Sequence, residues 1–588
     1  MNILGISCYY HDAAACLLVN GELIAAAEEE RFTRRKHDPS FPKEAIRFCL
    51  QTAALRPSDI DYVVFHEKPF LKFERILKTI LATYPRSRSL FEEVVIGWMS
   101  KKLWIKSQIQ GAFDQLDPKN ILFCSHHLAH AASALFCSPF PEAALLTCDG
   151  VGEWTTTATG FGKSNNISIT REIRFPHSLG LLYSAFTSFL GFEVNDGEYK
   201  VMGMAAFGKP KYTDRIHELI RVADNGSFRL NMKYFSFPYS PSRSFNRHFE
   251  RLFGKPRDGG RRFVTTQTSL YDDPCAPNEE ELNNNQYYAD IAASIQNVTE
   301  EILLKICRQL YQETKSKNLC LAGGVALNCS ANGRILRETP FERVFIQPAA
   351  GDSGAALGAA LFVHHCLLQN PRQFVFKHAY WGKHFSRQDI TPLLGDNRIN
   401  AKTFDKEEEL LETVCNALLE QKIVGWFQGR AEWGPRALGN RSILADPRKP
   451  QTKDIVNIKI KFREPFRPFA PSVLADQAEN FFNLGKEKNQ SPLEFMLATV
   501  DVKCPDLIPA VTHIDNTSRV QLVDEGTNPR FYRLIKKFGE KTNVPVLLNT
   551  SFNLKGEPIV NSPEDALNTF LKCDLDLLVI ENTLITKK

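Results

Sequence analysis

Short apolar runs separated by polar turns open the chain. NILGISC, AACLLV and ELIAAAEEE are each long enough for one strand, and Asn20-Gly21 divides the last two. An Asn-Gly pair between two apolar runs is typical of a tight β-hairpin. The beginning of the chain is therefore predicted as three strands, with the polar turn YYHDA after the first strand.

Residues 143–175 repeat this order of elements. AALLTC predicts a buried strand, DGVGEW a polar turn, and TTTATGFG and ISITREIRF two strands joined by KSNN. Few residues are identical in the two copies, so the repeat is one of architecture. Two copies of a strand, an acidic turn and a meander are how the duplicated ribonuclease-H-like ATPase folds (actin, sugar kinases, Hsp70) are built, usually with phosphate or metal at the first turn of each copy. We therefore predict a duplicated α/β domain of this kind.

Helical periodicity lies between and after the copies, in PKEAIRFCLQTAAL, HLAHAASALF and residues 287–314. Downstream, NLCLAGGVALNCSANGRI and ERVFIQPAAGDSGAALGAALFVHHCL each predict a strand, a glycine turn and the start of a helix. From about Gln369 to Lys406 aromatic and polar residues mix without periodicity, which is typical of a crossover between domains. The predicted organisation is a first domain over 1–370, a crossover over 371–405 and a second domain over 406–588.

The second domain mixes predicted helices and strands. EEELLETVCNALLEQ predicts a helix, and KIVGWFQ and NVPVLLNT predict strands. Ser562-Pro563-Glu564 combines a capping serine with a proline at the first helical position, which predicts a helix start. We expect an α+β fold here.

Composition limits the classes of function. The chain has 588 residues, 43% of them hydrophobic, which suits more than one globular domain. Its 72 basic and 67 acidic residues leave a net charge of +5, too small to indicate a nucleic-acid or anionic-membrane partner. Its 14 cysteines form no C-x-x-C pair, and no apolar run is long enough to span a membrane. Reduced thiols, a cytoplasmic location and no membrane contact are the expectation.

Two histidines at helical spacing are the first candidates for chemistry. His126 and His130 lie at i and i+4 in SHHLAHAAS, so they share one helix face, while His127 points elsewhere. Such a pair alone is more often structural than metal-binding. Asp149 and Asp352 favour the metal-binding interpretation of this pair, because each follows an apolar strand, where a carboxylate faces a cleft. Two histidines and two carboxylates suit Fe²⁺, Mn²⁺ or Zn²⁺ better than Ca²⁺.

His11 occupies the first turn of the first copy, as Asp149 does in the second, so both are expected to face one cleft. A histidine there is a candidate general base. A turn histidine that only satisfies the backbone is an equal alternative. Lys36 and His37 could line the same cleft, although the run RFTRRKH is more typical of a solvated charged segment.

Glycine turns and a basic cluster indicate two binding regions. Small-residue turns at helix starts let the backbone approach a nucleotide and direct N–H groups at it. The candidates for nucleotide contacts are Gly150, Gly323, Gly324, Asn328 and Gly351. In the second domain, basic residues framed by Pro and Gly indicate a pocket for a small anion, with surface charge and nucleic-acid binding as alternatives. They are Arg436, Lys461, Arg467 and Arg519.

The chain resembles the nodulation-protein-U and cephalosporin carbamoyltransferase (NodU/CmcH) family, which includes tobramycin O-carbamoyltransferase. The resemblance rests on five runs that cover nearly the whole chain in order: GISCYYHDAAACLL with EEERFTRRKHD, SHHLAHAASA with LTCDGVGEW, NDGEYKVMGMAAFG, LAGGVALNCSANGRI with QPAAGDSGAALGAA, and FQGRAEWGPRALGNRSILADPR through LLNTSFNLKGEPIV. It implies an ASKHA-type carbamoyl-transfer domain followed by a YrdC-like domain. It also implies an ATP-dependent O-carbamoyltransferase.

In such an enzyme, carbamoyl phosphate and ATP give carbamoyl-adenylate and pyrophosphate in the C-terminal domain, and the carbamoyl group then passes to an acceptor hydroxyl at the N-terminal metal site. The resemblance implies ATP with Mg²⁺, a divalent metal for which Fe²⁺ is the first expectation, and a hydroxyl-bearing small-molecule acceptor. Whether the protein forms a homodimer stays an open question. The implied roles fall on His11 at the transfer site, on the metal ligands His126, His130, Asp149 and Asp352, and on the carbamoyl phosphate ligands Arg436, Lys461, Arg467, Arg519 and Asn549.

Two other functions are alternatives. A tRNA threonylcarbamoyl-type modification enzyme uses both domain types, but it needs an extended basic face, and the small net charge argues against one. A non-catalytic nucleotide-binding protein would need neither the metal ligands nor the arginines.

Overall fold

The computed structural model describes residues 1–100, 102–268, 276–485 and 490–588. The chain forms two compact units, and each is discontinuous in sequence. Unit 1 contains Met1–Glu29, His37–Arg262 and Gln286–Phe376. Unit 2 contains Glu30–Lys36, Phe263–Asn285 and Lys377–Lys588. The domain boundaries proposed from the sequence stay a prediction.

The helices are named here in chain order. They are α1 (Glu30–Thr33), α2 (Lys43–Thr52), α3 (Pro69–Thr83), α4 (Arg88–Ser100), α5 (Ile105–Ala112), α6 (His126–Leu135), α7 (Leu179–Phe189), α8 (Glu198–Ala205), α9 (Thr213–His217), α10 (Arg247–Phe253), α11 (Glu279–Thr314), α12 (Cys329–Glu338), α13 (Asp352–Phe362), α14 (Arg387–Ile390), α15 (Glu407–Leu419), α16 (Gln451–Ile455), α17 (Ser491–Glu494), α18 (Pro529–Thr542) and α19 (Pro563–Lys572).

Unit 1 contains two five-stranded sheets with the same internal order. Its strands are β1 (Asn2–Ser7), β2 (Ala14–Val19), β3 (Glu22–Glu28), β4 (Tyr62–Phe65), β5 (Ile121–Phe123), β6 (Glu142–Cys148), β7 (Thr155–Lys163), β8 (Asn166–Arg174), β9 (Ile220–Val222), β10 (Phe228–Leu230), β11 (Asn318–Ala322) and β12 (Arg343–Ile346). The first sheet runs β3-β2-β1-β4-β5 and the second β8-β7-β6-β11-β12, while β9 and β10 pair separately.

In both sheets the first strand pairs antiparallel with the second and parallel with the fourth: β1 with β2 and β4, β6 with β7 and β11. Order and direction therefore repeat even though the residues do not, which confirms the predicted duplicated ribonuclease-H-like fold. The predicted Asn20-Gly21 hairpin is also confirmed, because both residues have positive φ, 52° and 87°, as its turn requires.

Unit 2 is built on an eight-stranded mixed sheet. Its strands are β13 (Ile399–Thr403), β14 (Val424–Phe427), β15 (Arg441–Ala445), β16 (Ala470–Leu474), β17 (Phe482–Asn483), β18 (Thr499–Val502), β19 (Thr517–Arg519), β20 (Gln521–Val523), β21 (Val546–Ser551), β22 (Leu577–Ile580) and β23 (Thr583–Lys587). The large sheet runs β13-β23-β22-β14-β15-β21-β16-β20, and β17, β18 and β19 form a smaller one. This is the predicted α+β class. The stretch taken as a crossover supplies the edge strand β13.

The core of unit 2 lies where α15 and α18 cover this sheet. Buried residues of both helices, such as Leu411 of α15 and Phe531 of α18, form one core with residues of β14, β15 and β22, such as Trp426 and Val579. Arg31, far away in sequence, donates to the Gly434 carbonyl oxygen at 2.7 Å within the same unit. That contact helps to tie residues 30–36 to unit 2.

Helices α6 and α13 pack closely inside unit 1 because their facing residues are small. A Cβ atom placed on Gly358 would lie 1.8 Å from the Ala129 carbonyl oxygen and 2.8 Å from the Ser133 amide nitrogen. No side chain larger than hydrogen fits there without separating the helices.

Among the described residues, no helix is both long and apolar enough to cross a bilayer.

We expect Gly358→Ala to lower the free energy of unfolding by at least about 1–3 kcal/mol, because the added methyl group meets rigid backbone of α6. Urea unfolding of the full chain, followed by circular dichroism and tryptophan fluorescence, measures the change. Gly111→Ala in α5 is the matched control, since a Cβ there meets no atom within 4 Å and alanine favours helix. Equal stability of the two variants would contradict the tight α6–α13 contact.

Candidate functional site

Four side chains from the ends of three elements converge in unit 1. His126 and His130 lie in the first two turns of α6, Asp149 follows β6, and Asp352 is the first residue of α13. All four are buried or nearly so, with His130 fully buried and the Asp149 side chain 15% exposed. We call these four residues the His/Asp cluster.

The distances within the His/Asp cluster suit a metal ion. The Nε2 atoms of His126 and His130 are 3.1 Å apart and lie 2.9 and 3.3 Å from Asp149 Oδ2. They lie 3.6 and 3.5 Å from Asp352 Oδ1. Metal–ligand bonds of about 2.0–2.2 Å place neighbouring ligand atoms roughly 2.9 Å apart in octahedral and 3.4 Å in tetrahedral sites. The four side chains can therefore hold one divalent cation without rearrangement.

The charges of the His/Asp cluster also favour a cation. Burial alone would lower the pKa of His130, but hydrogen bonds to Asp149 and Asp352 outweigh it and raise the pKa to about 9. Burial opposes ionisation of Asp149, yet its bonds to His126 and His130 hold its pKa well below the usual value. The carboxylates thus stay ionised and attract positive charge, whether from a proton or from a metal ion.

The backbone around the His/Asp cluster is fixed by a further carboxylate. Glu153 accepts hydrogen bonds from the backbone N–H of His126, at 3.1 Å, and of Lys68, at 2.8 Å. It therefore occupies the N-terminus of α6, where a negative charge is favoured. His127 bonds to Thr147 Oγ1 and to the Thr155 carbonyl oxygen, so its ring points away from the cluster.

His11 lies beside the His/Asp cluster. Its Nε2 atom is 4.0 Å from Asp352 Oδ2, and its Nδ1 atom is 2.8 Å from Asp12 Oδ2. Burial would lower the pKa of His11, but the hydrogen bond to Asp12 and the charges of Asp352, Asp12 and Asp149 raise it to about 9. Asp12 accepts the Nδ1 hydrogen, which leaves Nε2 directed at the cluster. The sequence singled out His11 but not its partner.

The glycines proposed for nucleotide contacts surround Asp149 and Asp352. Gly324 donates its N–H to Asp149 Oδ1 at 3.1 Å. A Cβ on Gly150 or Gly351 would meet no atom within 4 Å, so the backbone beside each carboxylate is accessible. Gly323 has φ of 92° and approaches the Cys148 carbonyl oxygen, which excludes larger residues.

Asn328 differs from these glycines because its side chain already has partners. It caps α12 by accepting from the Ala331 N–H, and it exchanges two 3.0 Å hydrogen bonds with Gln296. A contact with adenosine would have to share these groups, and the proposed role stays a prediction.

In unit 2, Lys461 is fixed before any ligand arrives. It follows a π-helical turn, Val456–Ile460, and its buried Nζ atom donates to oxygen atoms of Ser551 and Asn553 at 2.5–3.3 Å. Burial, with the charges of Arg463 and Arg467, holds the pKa of Lys461 well below its usual value. An anion bound nearby would offset this repulsion.

Asn549 lies on β21, two residues before Ser551, and its partners are close in sequence to two of the predicted ligands. Its Nδ2 atom donates to the Ala437 carbonyl oxygen, Ser472 Oγ and Gln521 Oε1. Ala437 directly follows Arg436, Ser472 lies on the adjacent strand β16, and Gln521 lies two residues after Arg519. The Asn549 Oδ1 atom is buried and has no hydrogen-bond partner among the described residues. The five residues predicted to bind carbamoyl phosphate are referred to as the basic pocket: Arg436, Lys461, Arg467, Arg519 and Asn549.

The loop that carries Arg436 is held by one buried carboxylate. Glu432 Oε1 accepts from the backbone N–H groups of Leu438, Asn440 and Arg441 at 2.7–3.2 Å. The sequence predicted the rigidity of this loop from its Pro and Gly residues, but it did not identify Glu432 as the anchor.

A second buried group behind His126 escaped the sequence analysis. His66 and Glu67 follow β4, and atoms of His66, Glu67 and His126 lie within 4.8 Å of one another. Glu67 pairs with Lys72 at 2.5 Å, and both are buried. The rule that found Asp149, a polar residue directly after a buried strand, would have found this pair too.

Comparison with known proteins identifies the relatives of the whole chain. The family model described as carbamoyltransferase N-terminus matches residues 2–361, and the model described as carbamoyltransferase C-terminus matches residues 415–587. The chain is 45% identical to an uncharacterized protein of Synechocystis sp. over 100% of this chain and 97% of that protein.

Two of the named relatives show how far the similarity extends. Nodulation protein NolNO of Sinorhizobium fredii is 35% identical over 99% of this chain and 79% of that protein. The 3'-hydroxymethylcephem-O-carbamoyltransferase of Amycolatopsis lactamdurans is 31% identical over 51% of this chain and 56% of that enzyme. The similarity to NolNO thus spans both units.

We expect Asp149→Asn to weaken binding of Zn²⁺ or Mn²⁺, because it removes the charge that contacts both histidines. Loss of a residue that only hydrogen-bonds to a metal ligand weakens binding about tenfold to a hundredfold, so the loss of a ligand should have at least this effect. Competition with a chromophoric chelator measures the affinity. His217→Ala, at an exposed histidine of the same unit, is the control. Unchanged affinity in Asp149→Asn would exclude the His/Asp cluster as a metal site.

Proposed function

The chain belongs to the carbamoyltransferase family, and from this premise we propose that it is an ATP-dependent O-carbamoyltransferase that uses carbamoyl phosphate as its donor. The acceptor is a hydroxyl group of a small molecule or a sugar. O-carbamoyl transfer is also the activity named for its cephem relative.

The observation that carries the choice of donor is the buried, unpartnered Asn549 Oδ1 atom in the basic pocket. A buried carbonyl oxygen without a donor is unfavourable by about 1–3 kcal/mol, so a ligand with an N–H group is favoured there. Carbamoyl phosphate has such a group at one end and a phosphate at the other. Guanidinium groups of Arg436 and Arg519 suit the phosphate because their paired N–H donors match its oxygens.

The first half-reaction forms carbamoyl-adenylate. Water attacks carbamoyl phosphate, which gives carbamate and inorganic phosphate. A carbamate oxygen then attacks the α-phosphorus of ATP, carried with Mg²⁺, and the bond to the β-phosphate breaks to release pyrophosphate. Carbamate decomposes in water, so a buried pocket that excludes solvent protects it until it is trapped as the mixed anhydride.

The second half-reaction belongs to unit 1. A divalent cation held by the His/Asp cluster would supply Lewis-acid polarisation, and the mixed nitrogen and oxygen ligands favour Fe²⁺, with Mn²⁺ or Zn²⁺ as alternatives. The acceptor hydroxyl attacks the carbamoyl carbon and AMP leaves. His11 takes the hydroxyl proton on Nε2, while Asp12 holds its Nδ1 hydrogen. Gly150 and Gly351 offer accessible backbone for the adenylate, and Gly323 and Gly324 shape the turn beside Asp149.

The two half-reactions predict two classes of variant. With ATP and carbamoyl phosphate, the native protein is expected to release pyrophosphate and form carbamoyl-adenylate. Arg436→Ala is expected to slow this step by about 10- to 150-fold, the effect of losing charged hydrogen bonds of about 1.5–3 kcal/mol. His130→Ala is expected to retain it. Coupled pyrophosphate detection and mass spectrometry of the adenylate measure both.

Arg398→Ala is the control, because Arg398 is an exposed residue of unit 2 that pairs with Asp396. Equal loss of adenylate formation in Arg436→Ala and His130→Ala would contradict two separate sites. Absence of pyrophosphate release from the native protein would refute carbamoyl phosphate and ATP as the substrates.

A further inference from the structure

Four non-glycine residues within two positions of His11, His37 or Asp196 have left-handed backbone conformations. Tyr9, Asp12, His37 and Asn195 have φ values of 72°, 51°, 55° and 68°. Such a conformation is unfavourable by about 1–2 kcal/mol for a residue with a side chain. Residues of this kind persist where surrounding contacts hold them, and they concentrate at functional sites. Two of the four take part in one chain of hydrogen bonds that begins at His11.

This chain leads away from the His/Asp cluster. Asp12 Oδ2 is 2.8 Å from His11 Nδ1, and Asp12 Oδ1 is 2.7 Å from His37 Nδ1. On its other side, His37 Nε2 is 3.1 Å from Asp196 Oδ1. Asp196 in turn pairs with Lys200 at 3.5 Å. The sequence favoured a solvated charged segment for His37, whereas the structure places its ring between two carboxylates.

These contacts determine where the hydrogens lie. An ionised carboxylate only accepts hydrogen bonds, so a ring nitrogen that bonds to one must carry a hydrogen. His37 meets a carboxylate at each nitrogen and is therefore an imidazolium ion. The 2.8 Å bond to Asp12 fixes a hydrogen on His11 Nδ1, whereas His11 Nε2 lies 4.0 Å from Asp352 Oδ2, beyond hydrogen-bond distance, so Nε2 is the atom that can exchange a proton. Asp12 therefore accepts from both histidines, one at each of its oxygen atoms.

We propose that His37 is a positioning residue: held as a cation between Asp12 and Asp196, it fixes the Asp12 carboxylate and thereby the tautomer of His11. This inference rests on the proposed function, in which His11 accepts the proton of the acceptor hydroxyl. The Asp12 side chain is 29% exposed, so without His37 it can rotate towards solvent. His11 would then lose the acceptor that keeps hydrogen off Nε2, and a base with the wrong tautomer cannot accept the proton.

The decisive test uses His37→Asn in the full chain. Asparagine tolerates positive φ, so the variant removes the imidazolium without adding backbone strain. Protein labelled with ¹⁵N only in histidine shows by NMR which ring nitrogens carry hydrogen, and His11→Gln and His37→Asn spectra assign the signals. In the native protein we expect both His37 nitrogens to be protonated at pH 8. Because the pKa of His11 is about 9, its tautomer is read at about pH 10, where we expect native His11 to carry hydrogen on Nδ1 and His11 of the His37→Asn variant to be a mixture of tautomers.

Two further variants separate positioning from a general structural role. Arg at position 37 can donate to both carboxylates, so His37→Arg is expected to restore the single His11 tautomer. His217→Gln, an exposed histidine of unit 1, is expected to leave it unchanged. Thermal unfolding of each variant checks folding. An unchanged His11 tautomer in folded His37→Asn, or a neutral His37 in the native protein, overturns the proposal.

Kinetics distinguish this proposal from the proposed function. Pyrophosphate release from ATP and carbamoyl phosphate is expected to be equal in native protein and His37→Asn, because the basic pocket is untouched. Turnover of preformed carbamoyl-adenylate, with water as the acceptor and AMP as the readout, is expected to fall about tenfold to a hundredfold, as misplacement of a reacting group by about 1 Å can produce. No pyrophosphate release by the native protein refutes the proposed function alone. Equal AMP release by both proteins counts against the role of His37.

Discussion

The closest approach between α6 and α13 determines the geometry of the His/Asp cluster. Gly358 lets the two helix backbones meet, and one helix supplies both histidines while the other begins at Asp352. Backbone contact of this kind is rigid, because no flexible side chain lies between the helices. The separation of the four side chains is therefore fixed by packing, and a cation would find them already in place.

The duplicated fold explains why the remaining groups arrive from distant parts of the sequence. In each copy the first strand ends in a turn at the same edge of its sheet, and these turns carry His11 and Asp149. A chain that repeats strand order and direction twice therefore repeats the positions where polar side chains leave the core. The positions recur although the residues do not, which is why one copy supplies His11 and the other Asp149.

Much of this could be read from the sequence because it depends on local rules. The Asn20-Gly21 hairpin, the two strand-to-helix turns before α12 and α13, and the Ser562 cap of α19 each follow from neighbouring residues. The contacts between residues far apart in sequence could not be predicted from such local rules. His37 meets Asp196 across 159 positions, and Arg31 meets Gly434 across 403. A charged run has the same composition whether it is solvated or held between carboxylates, so only the fold distinguishes the two.

The two sites use opposite charges but the same physical device. In the His/Asp cluster, buried carboxylates are ionised against the effect of burial; in the basic pocket, buried Lys461 is surrounded by other cations. The repulsion on Lys461 lasts until an anion binds, so it contributes to binding what it removes from folding stability. The carboxylates of the His/Asp cluster are already bonded to His126 and His130 and would exchange a proton for a cation. Because Lys461 is held by Ser551 and Asn553, it cannot move to relieve the repulsion. A charge fixed in advance needs no reorganisation when the ligand arrives, and that is the condition under which electrostatic stabilisation is strongest.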